Sequence, residues 1–132
     1  MRLSILIPVY NEERTVGHLL DRVLEADLGV EKEILVVDDA SRDGTPEILR
    51  RYADRVRLLR HPCNRGKGAA LRTALAEATG EFVVPQDADL EYEPLDLRRL
   101  LEAAQETGAR VVYGSRRLDR RNRQYSALTF FL

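Results

Sequence analysis

The sequence predicts an α/β fold in which a mostly parallel sheet carries helices on both faces. Short apolar runs alternate along the chain with segments whose apolar residues recur at helical spacing. Polar and acidic residues follow directly after several of the apolar runs. Alternating strands and helices favour parallel strands joined by helical crossovers, and open sheets of this kind bind ligands at the carboxyl ends of their strands. We therefore expect the functional residues at that edge.

The first strand, first helix and second strand are predicted from three consecutive apolar patterns. Residues 3–7 are apolar and are closed by Pro8, which predicts a buried strand that ends where a backbone donor is lost. Residues 33–37 predict a second strand that ends at Asp38 and Asp39. Between them, apolar side chains at i, i+3, i+4, i+7 and i+8 predict a one-faced helix: Val16, Leu19, Leu20, Val23 and Leu24.

The next helix and strand have weaker signals. Thr45, Pro46 and Glu47 provide an N-cap, a first-turn proline and a first-turn acid for a second helix, and Asp43 with Gly44 forms the turn before it. Residues 55–59 predict a third strand.

The second half of the chain repeats the alternation. A third helix ends before Gly80, which we interpret as its C-terminal stop, and a fourth ends at Gly108. Residues 82–84 predict the fourth strand and residues 110–113 the fifth. The apolar faces of the two helices are Leu71, Ala74, Leu75 and Ala78 for the third, and Leu97, Leu100, Leu101 and Ala104 for the fourth.

Composition narrows the class of protein. A length of 132 residues fits one domain, and 21 basic against 22 acidic residues argue against bulk binding of nucleic acid. Cys63 is the only cysteine, so no disulfide forms within the chain and a reduced, cytoplasmic setting is expected. No apolar run approaches the roughly 20 residues that cross a bilayer. We expect a chain that is soluble or peripheral at a membrane.

Three carboxylates follow the fourth strand at every second position: Asp87, Asp89 and Glu91. Alternate side chains of extended backbone share a face, so these acids can converge on one point. Clustered carboxylate oxygens suit Mg²⁺ or Mn²⁺, which in turn would bridge the phosphates of a nucleotide. Taken alone, the same pattern is also typical of a solvated loop.

Three other nucleotide and phosphate motifs fit poorly. Gly66-Lys67-Gly68 lacks the earlier glycine and the following Ser or Thr of a phosphate-binding loop, because His61 and Gly68 occupy those positions. A dinucleotide fingerprint fails because Leu71 stands in place of the third glycine. Asp38 and Asp39 are reminiscent of a response-regulator receiver, but they follow the second strand rather than the first.

Five segments of the chain occur in a characteristic order: Ile7-Pro8-Val9-Tyr10-Asn11-Glu12, the run from Val36 to Thr45, Asn64-Arg65-Gly66-Lys67-Gly68, Gln86-Asp87-Ala88-Asp89 and Gly114-Ser115-Arg116. Together they resemble the glycosyltransferases of family 2, which have the GT-A (Rossmann-like) fold. The resemblance covers nearly all of residues 1–116 and is nearest to the polyprenyl-phosphate branch typified by dolichol-phosphate mannose synthase. Ala40 stands where many members have glycine.

The resemblance implies a role for individual residues of this chain. Asp39 is expected to accept a hydrogen bond from the base of a UDP- or GDP-linked sugar, and Asp87 to contact its ribose or phosphates. Asp87 and Asp89 form the catalytic acid segment, and Asp89 with Glu91 holds Mg²⁺ or Mn²⁺ on the diphosphate. For Lys67, contact with the donor phosphates and simple exposure at a helix start remain equal alternatives. The full donor set is Pro8, Tyr10, Glu12, Asp38, Asp39, Lys67 and Asp87.

The resemblance also implies the reaction and the acceptor. We expect inverting, metal-dependent transfer of a sugar to a polyprenyl phosphate such as dolichyl or undecaprenyl phosphate, at the cytoplasmic face of a membrane. Arg116 is expected to bind the acceptor phosphate, with Arg123 as a second candidate in a basic segment. Residues 1–115 would form the donor-binding core, and residues 116–132 the incomplete start of an acceptor and membrane-proximal region.

Other functions remain open from the sequence. The chain could bind a nucleotide sugar without transferring it, or transfer to a glycan hydroxyl. A nucleotidyltransferase would also have a parallel sheet and metal-binding acids, but it would show a glycine-rich basic loop after the first strand, where this chain has Pro8-Val9-Tyr10-Asn11-Glu12.

Overall fold

The computed structural model describes residues 1–88 and 94–109. Strands and helices alternate through this part of the chain, as predicted. The predicted fifth strand, residues 110–113, lies outside it. The strands are β1 (Arg2–Val9), β2 (Glu31–Asp38), β3 (Arg57–Arg60) and β4 (Phe82–Pro85), and the helices are α1 (Val16–Glu25), α2 (Thr45–Arg50), α3 (Lys67–Glu77) and α4 (Pro94–Thr107).

The four described strands form one parallel sheet in the order β3-β2-β1-β4. The longest pairing joins β1 to β2, from Arg2 opposite Glu31 to Val9 opposite Asp38. Because all the pairings are parallel, the carboxyl ends of the strands reach the same edge of the sheet. The residues that follow β1, β2 and β4 are thereby brought together.

Helices cover both faces of the sheet, which confirms the predicted α/β class. On one face, Ile5 of β1 belongs to a buried cluster with Leu19 of α1 and Leu101 of α4. On the other face, Ala70 and Ala74 of α3 pack with a second set of strand residues, namely Leu6, Leu35, Val37 and Val83. Neighbouring strand residues point to opposite faces, so β1 contributes to both layers.

Strand β1 continues through Pro8, and the prediction that it ends there is wrong. The Leu6 carbonyl accepts a hydrogen bond from Gln86 N–H on the β4 side, and the Val9 carbonyl accepts one from Asp39 N–H on the β2 side. Because strand residues alternate between their two neighbours, Pro8 faces the β4 side. There, β4 pairs with β1 only as far as Leu6. The missing N–H of Pro8 therefore falls where the pairing between β1 and β4 ends.

Helix α3 confirms most of its predicted face but differs in its end. Ala74 is buried and Leu71 and Ala78 are partly buried against the same cluster, as predicted, whereas Leu75 is exposed and Ala70 is buried as well. The helix ends at Glu77, and its C-cap is Ala78 in extended conformation. Gly80 does not stop the helix. Its N–H donates to Ser4 Oγ at 2.8 Å, where the chain passes close to β1.

The boundaries of α2 and β3 also shift. Thr45 is the first residue of α2 rather than its N-cap, and its backbone N–H donates to the Asp43 carboxylate at 2.9 Å. The Asp43 turn is thus confirmed. Strand β3 begins two residues later than predicted, because Val56 N–H still donates to the Tyr52 carbonyl in the turn after α2.

Helix α4 agrees with its prediction. Its predicted face, Leu97, Leu100, Leu101 and Ala104, is buried. Gly108 has a φ of 68° and donates its N–H to the Ala104 carbonyl, which is the left-handed C-terminal turn expected of glycine. Within residues 1–88 and 94–109, no helix has the length and apolar character that a bilayer span needs.

Candidate functional site

A cavity of about 340 Å³ lies at the carboxyl ends of β1, β2 and β4, the edge that the sequence predicts. The loop after β1, the residue after β2, the start of α3 and the segment after β4 all contribute to its wall. The lining residues are Pro8, Val9, Tyr10, Glu12, Asp39, Asn64, Gly66, Lys67, Ala70, Asp87 and Ala88.

The cavity brings together all but one of the predicted donor-site residues. Asp38 is the exception. It is the last residue of β2, its carboxylate accepts a hydrogen bond from Ser41 N–H at 2.9 Å, and it lines a separate cavity together with Leu49 and Leu58. Neighbouring residues at a strand end point to opposite faces, so Asp38 and Asp39 cannot both face one cavity from an extended backbone.

Four predicted site residues lie outside the described residues. They are the predicted metal ligands Asp89 and Glu91 and the predicted acceptor residues Arg116 and Arg123.

Asp39 is buried and receives three hydrogen bonds from protein groups. Its Oδ1 lies 2.7 Å from His61 Nδ1 and accepts Arg65 N–H at 2.8 Å, while Oδ2 accepts Gly66 N–H at 2.8 Å. Burial by itself would raise the pKa of Asp39, but these hydrogen bonds together lower it below its ordinary value. Asp39 is therefore an ionised carboxylate that lines the cavity and fixes the loop leading into α3.

Lys67 and Asp87 form an ion pair at the cavity. Lys67 is the first residue of α3, and Asp87 follows β4 by two residues. Neither of the two alternatives for Lys67, phosphate contact or simple exposure, included this pairing. Both side chains are partly exposed and so can exchange this partner for a ligand.

The loop after β1 is held by the loop after β2. Ser41 Oγ accepts Asn11 N–H at 2.9 Å, and Asn11 Oδ1 accepts Arg42 N–H at 2.8 Å. Asn11 has a φ of 51°, a left-handed conformation that asparagine tolerates better than most residues. These contacts fix the backbone between Tyr10 and Glu12, whose side chains line the cavity.

Thr15 links this loop to the acid segment. Its hydroxyl lies 2.7 Å from the Ala88 carbonyl and 3.0 Å from Glu12 Oε2. The hydroxyl has a single hydrogen, which the two oxygens share. Glu12 and the backbone that leads to Asp89 are thereby tied to one side chain.

Gly66 gives the start of α3 its shape. Its φ of 93° lies in the region that side chains rarely adopt, which explains why glycine is present there. Gly68, by contrast, lies within α3, and a Cβ at its position would meet Arg72 at an ordinary 3.5 Å. Of Gly66 and Gly68, only Gly66 is required by the conformation of the backbone.

Sequence reasoning missed several residues of the site. Asn64 and Ala70 line the cavity, and Thr15 and His61 support it, although none was assigned a role. Asn64 lies inside one of the quoted segments and could have been proposed from it. No spacing pattern in the sequence predicts a role for His61, because that role depends on the fold, which places the Asp39 side chain beside it.

Solved structures match this fold closely. S. aureus TarS with UDP covers 84% of this chain and 34% of its own, with a TM-score of 0.73 and 29% identity. Mannosyltransferase PcManGT from Pyrobaculum calidifontis, in complex with GDP-Man and Mn²⁺, covers 78% of this chain and 32% of its own, with a TM-score of 0.69 and 36% identity. The sheet order, the cavity and these neighbours together define a GT-A glycosyltransferase fold.

Sequence comparisons identify the family. Residues 4–129 match the model of glycosyl transferase family 2, and the chain belongs to that family. It is 35% identical over 118 residues to a dolichol-phosphate mannosyltransferase of Pyrococcus furiosus, covering 88% of this chain. It is 40% identical over 130 residues to an undecaprenyl-phosphate 4-deoxy-4-formamido-L-arabinose transferase of Aeromonas hydrophila, covering 94%. The chain spans 33% and 38% of the length of these two relatives.

Proposed function

We propose that this chain is the donor-binding part of a glycosyltransferase that moves a sugar from a UDP- or GDP-linked donor to a polyprenyl phosphate. The observation that carries the proposal is the single cavity in which Tyr10, Asp39, Lys67 and Asp87 meet at the carboxyl edge of the sheet. These residues come from four separate segments of the chain. They provide an aromatic ring, a buried carboxylate, a cation and a second carboxylate, which suit a base, a ribose and a diphosphate.

The nucleotide would lie with its base towards β2. A carboxylate has about four acceptor positions, and the described groups occupy three of those on Asp39, which leaves one for a base N–H. Tyr10 provides a partly exposed ring beside it. The complexes of TarS with UDP and of PcManGT with GDP-Man support a nucleotide donor of one of these two kinds.

A divalent cation would be held by the acid segment. Asp87 is the described carboxylate of that segment, and its position on the cavity wall next to Lys67 suits a hard oxygen ligand close to phosphates. No group of three metal-binding side chains occurs within the described residues, and the proposed ligands Asp89 and Glu91 lie outside them. When bound, Mg²⁺ or Mn²⁺ stabilises the negative charge on a departing nucleotide diphosphate. PcManGT was solved with Mn²⁺.

The proposed acceptor is a polyprenyl phosphate. Its phosphate oxygen would attack the anomeric carbon as the bond to the nucleotide diphosphate breaks, with inversion at that carbon. A phosphate is already an oxyanion, so this acceptor needs no general base, whereas a hydroxyl acceptor does. Arg116 and Arg123 are the proposed phosphate ligands, in a segment, residues 116–132, that would begin the acceptor and membrane-proximal region after a donor core of residues 1–115. The two named relatives are transferases acting on dolichol phosphate and undecaprenyl phosphate.

Calorimetric titration tests the donor half of the proposal. UDP and GDP are titrated into the chain with and without Mn²⁺, and the titrations are repeated with Asp87→Asn, Asp89→Ala and the exposed control Glu106→Gln. We expect one nucleotide to bind and Mn²⁺ to strengthen its binding, a gain that both acid-segment variants weaken and Glu106→Gln leaves unchanged. Absence of binding by the wild-type chain would contradict the proposal.

Transfer assays separate the remaining alternatives. With the matching nucleotide sugar, transfer to a polyprenyl phosphate supports the proposed acceptor, and transfer to a glycan hydroxyl would replace it. Binding without transfer in the full-length protein would identify a nucleotide-sugar binding protein instead.

A further inference from the structure

His61 lies behind the cavity and does not line it. It follows β3 directly, and its ring is buried against the carboxylate of Asp39, with 5% of the His61 side chain and 4% of the Asp39 side chain exposed. His61 N–H donates to the Asp38 carbonyl, and Asp39 N–H donates to the Val9 carbonyl, both at 2.9 Å. The backbones of both residues are therefore fixed, and the contact between their side chains is set by the fold.

Both ring nitrogens of His61 have a partner. Nδ1 lies 2.7 Å from Asp39 Oδ1, and Nε2 lies 2.8 Å from Thr73 Oγ1. The Thr73 hydroxyl also lies 3.0 Å from the Ala69 carbonyl, and its single hydrogen points either to that oxygen or to Nε2. An ionised carboxylate can only accept, so Nδ1 must carry a hydrogen whichever way the hydroxyl hydrogen points.

This contact decides which acceptor position of Asp39 remains for a ligand. His61 and Arg65 N–H occupy Oδ1, and Gly66 N–H occupies one position of Oδ2. Without the His61 donor, a buried Oδ1 loses its side-chain partner, and the carboxylate gains freedom to rotate away from its present orientation. Asp39 also holds Gly66, so such a rotation would disturb the loop that presents Lys67.

We propose that His61 is a positioning residue for donor binding, which holds the Asp39 carboxylate so that its remaining acceptor position faces a nucleotide base. The proposal rests on the proposed function, because it takes the cavity to be the donor site. The side chain of His61 acts through Asp39 and does not itself contact the nucleotide.

Three substitutions at His61 test the proposal, because they differ in where they place a donor. The amide nitrogen of His61→Asn can take the place of Nδ1 and donate to Asp39. The amide nitrogen of His61→Gln reaches the place of Nε2 instead, on the side away from Asp39. The side chain of His61→Leu has no hydrogen-bond donor. His18, the other histidine of the chain, is exposed on α1 and provides His18→Asn as a matched control. Each variant is titrated with UDP and with GDP in the presence of Mn²⁺, after thermal unfolding has shown that it is folded.

We expect His61→Asn and His18→Asn to bind within about threefold of the wild-type affinity. His61→Gln and His61→Leu should bind roughly tenfold or more weakly, as loss of a hydrogen bond to a charged group implies. Wild-type affinity in folded His61→Leu would overturn the inference and leave the proposed function standing. Equal weakening in folded His61→Asn and His61→Leu would also overturn it, because the donor would then not matter. Failure of the wild-type chain to bind either nucleotide would overturn both.

A nitrogen NMR spectrum provides a readout independent of affinity. With only two histidines in the chain, their ring signals can be assigned from His18→Asn. We expect the His61 Nδ1 signal to be that of a protonated nitrogen, because it faces the Asp39 carboxylate, and to change in Asp39→Asn. An unprotonated Nδ1 would overturn the inference.

Discussion

The ammonium of Lys67 forms an ion pair with the carboxylate of Asp87 at the cavity that both residues line. Lys67 begins α3 on one face of the sheet, and Asp87 follows β4 at its edge. A divalent cation that uses Asp87 must compete with this ammonium, whereas a diphosphate in the cavity could attract it. Lys67 thus has opposite expected effects on the two ligands.

We predict that Lys67→Met increases the affinity for Mn²⁺ alone and decreases the affinity for UDP or GDP in the absence of metal. Exposed ion pairs contribute about 0.2–1 kcal/mol, so each change should be at most about fivefold. Manganese binding followed by electron paramagnetic resonance and calorimetry with the nucleotides measure the two effects. Lys67→Arg keeps the charge and should change neither by more than about twofold. Weaker Mn²⁺ binding in Lys67→Met would contradict the competition.

Gly80 lies at the amino-terminal ends of the strands, where a side chain at its position should be destabilising. A Cβ there would lie 2.6 Å from Ser4 Oγ, 2.7 Å from Ser4 N and 2.9 Å from the Arg2 carbonyl oxygen. Two of these atoms belong to the backbone of β1, a central strand that cannot easily move. We predict that Gly80→Ala lowers the free energy of unfolding by about 1–3 kcal/mol, as measured by urea denaturation.

Gly68→Ala is the matched control for Gly80→Ala. The nearest atom to its Cβ would be the end of the Arg72 side chain at 3.5 Å, which is an ordinary contact. Gly68 lies in α3, where alanine is the better helix former, so stability should be unchanged or slightly higher. Equal free energies of unfolding for Gly80→Ala and Gly68→Ala would contradict the prediction, because β1 would then leave room for a methyl group at residue 80.

The sequence predicts the edge of the sheet at which the site forms, because acids and polar residues directly follow apolar strands. It predicts less well what depends on neighbours in space. Pro8 reads as a strand end and is tolerated within β1 only because it faces the side where β4 has stopped. The spacing of Leu75 predicts a buried side chain, but Leu75 is exposed. The face of α3 that packs on the sheet is formed by Ala70 and Ala74 instead. Asp39 is identified by its position after a strand, but its partner His61 is identified only by the fold.

Ala40 is a position at which this chain is expected to gain stability. Its φ of 65° is left-handed, a conformation that costs residues with a Cβ about 1–2 kcal/mol. This is a physical reason for the glycine that the family resemblance leads us to expect at this position. We predict that Ala40→Gly raises the free energy of unfolding by about 0.5–1 kcal/mol, since part of the relief is offset by the greater freedom of glycine in the unfolded chain.

The exposed Ala76 of α3 is the control for Ala40, because the same substitution should have the opposite sign there. Ala76→Gly should lower stability by about 0.5–1 kcal/mol through the loss of helix propensity. Urea denaturation of both variants and of the wild-type chain at one pH measures the two changes in the free energy of unfolding. A destabilised Ala40→Gly would show that the methyl group of Ala40 has a packing role that outweighs the strain.

The last prediction concerns acid stability and the polar cluster at the amino-terminal edge of the sheet. Glu33 Oε2 accepts hydrogen bonds from Ser4 Oγ at 2.6 Å and from the N–H and hydroxyl of Thr79, both at 2.9 Å. Burial raises the pKa of Glu33, but these bonds and the charge of Arg2 lower it by more, so it lies below its ordinary value of 4.5. The contribution of the ionised group is therefore present above pH 4.5 and is lost as the pH falls through the lower pKa of the folded state.

Glu33→Gln should remove this part of the pH dependence. Its free energy of unfolding should be lower than that of the wild-type chain at neutral pH, and should fall less steeply between about pH 5 and pH 2. Part of the pH dependence of the free energy of unfolding should remain in the variant, because hydrogen bonds also lower the pKa values of Asp39 and Asp43. Glu106→Gln, on the exposed face of α4, should retain the full wild-type slope. Parallel curves for Glu33→Gln and the wild-type chain would mean that the cluster is equally stable with a neutral side chain, and that the acid sensitivity originates at the carboxyl edge, where Asp39 holds the loop into α3.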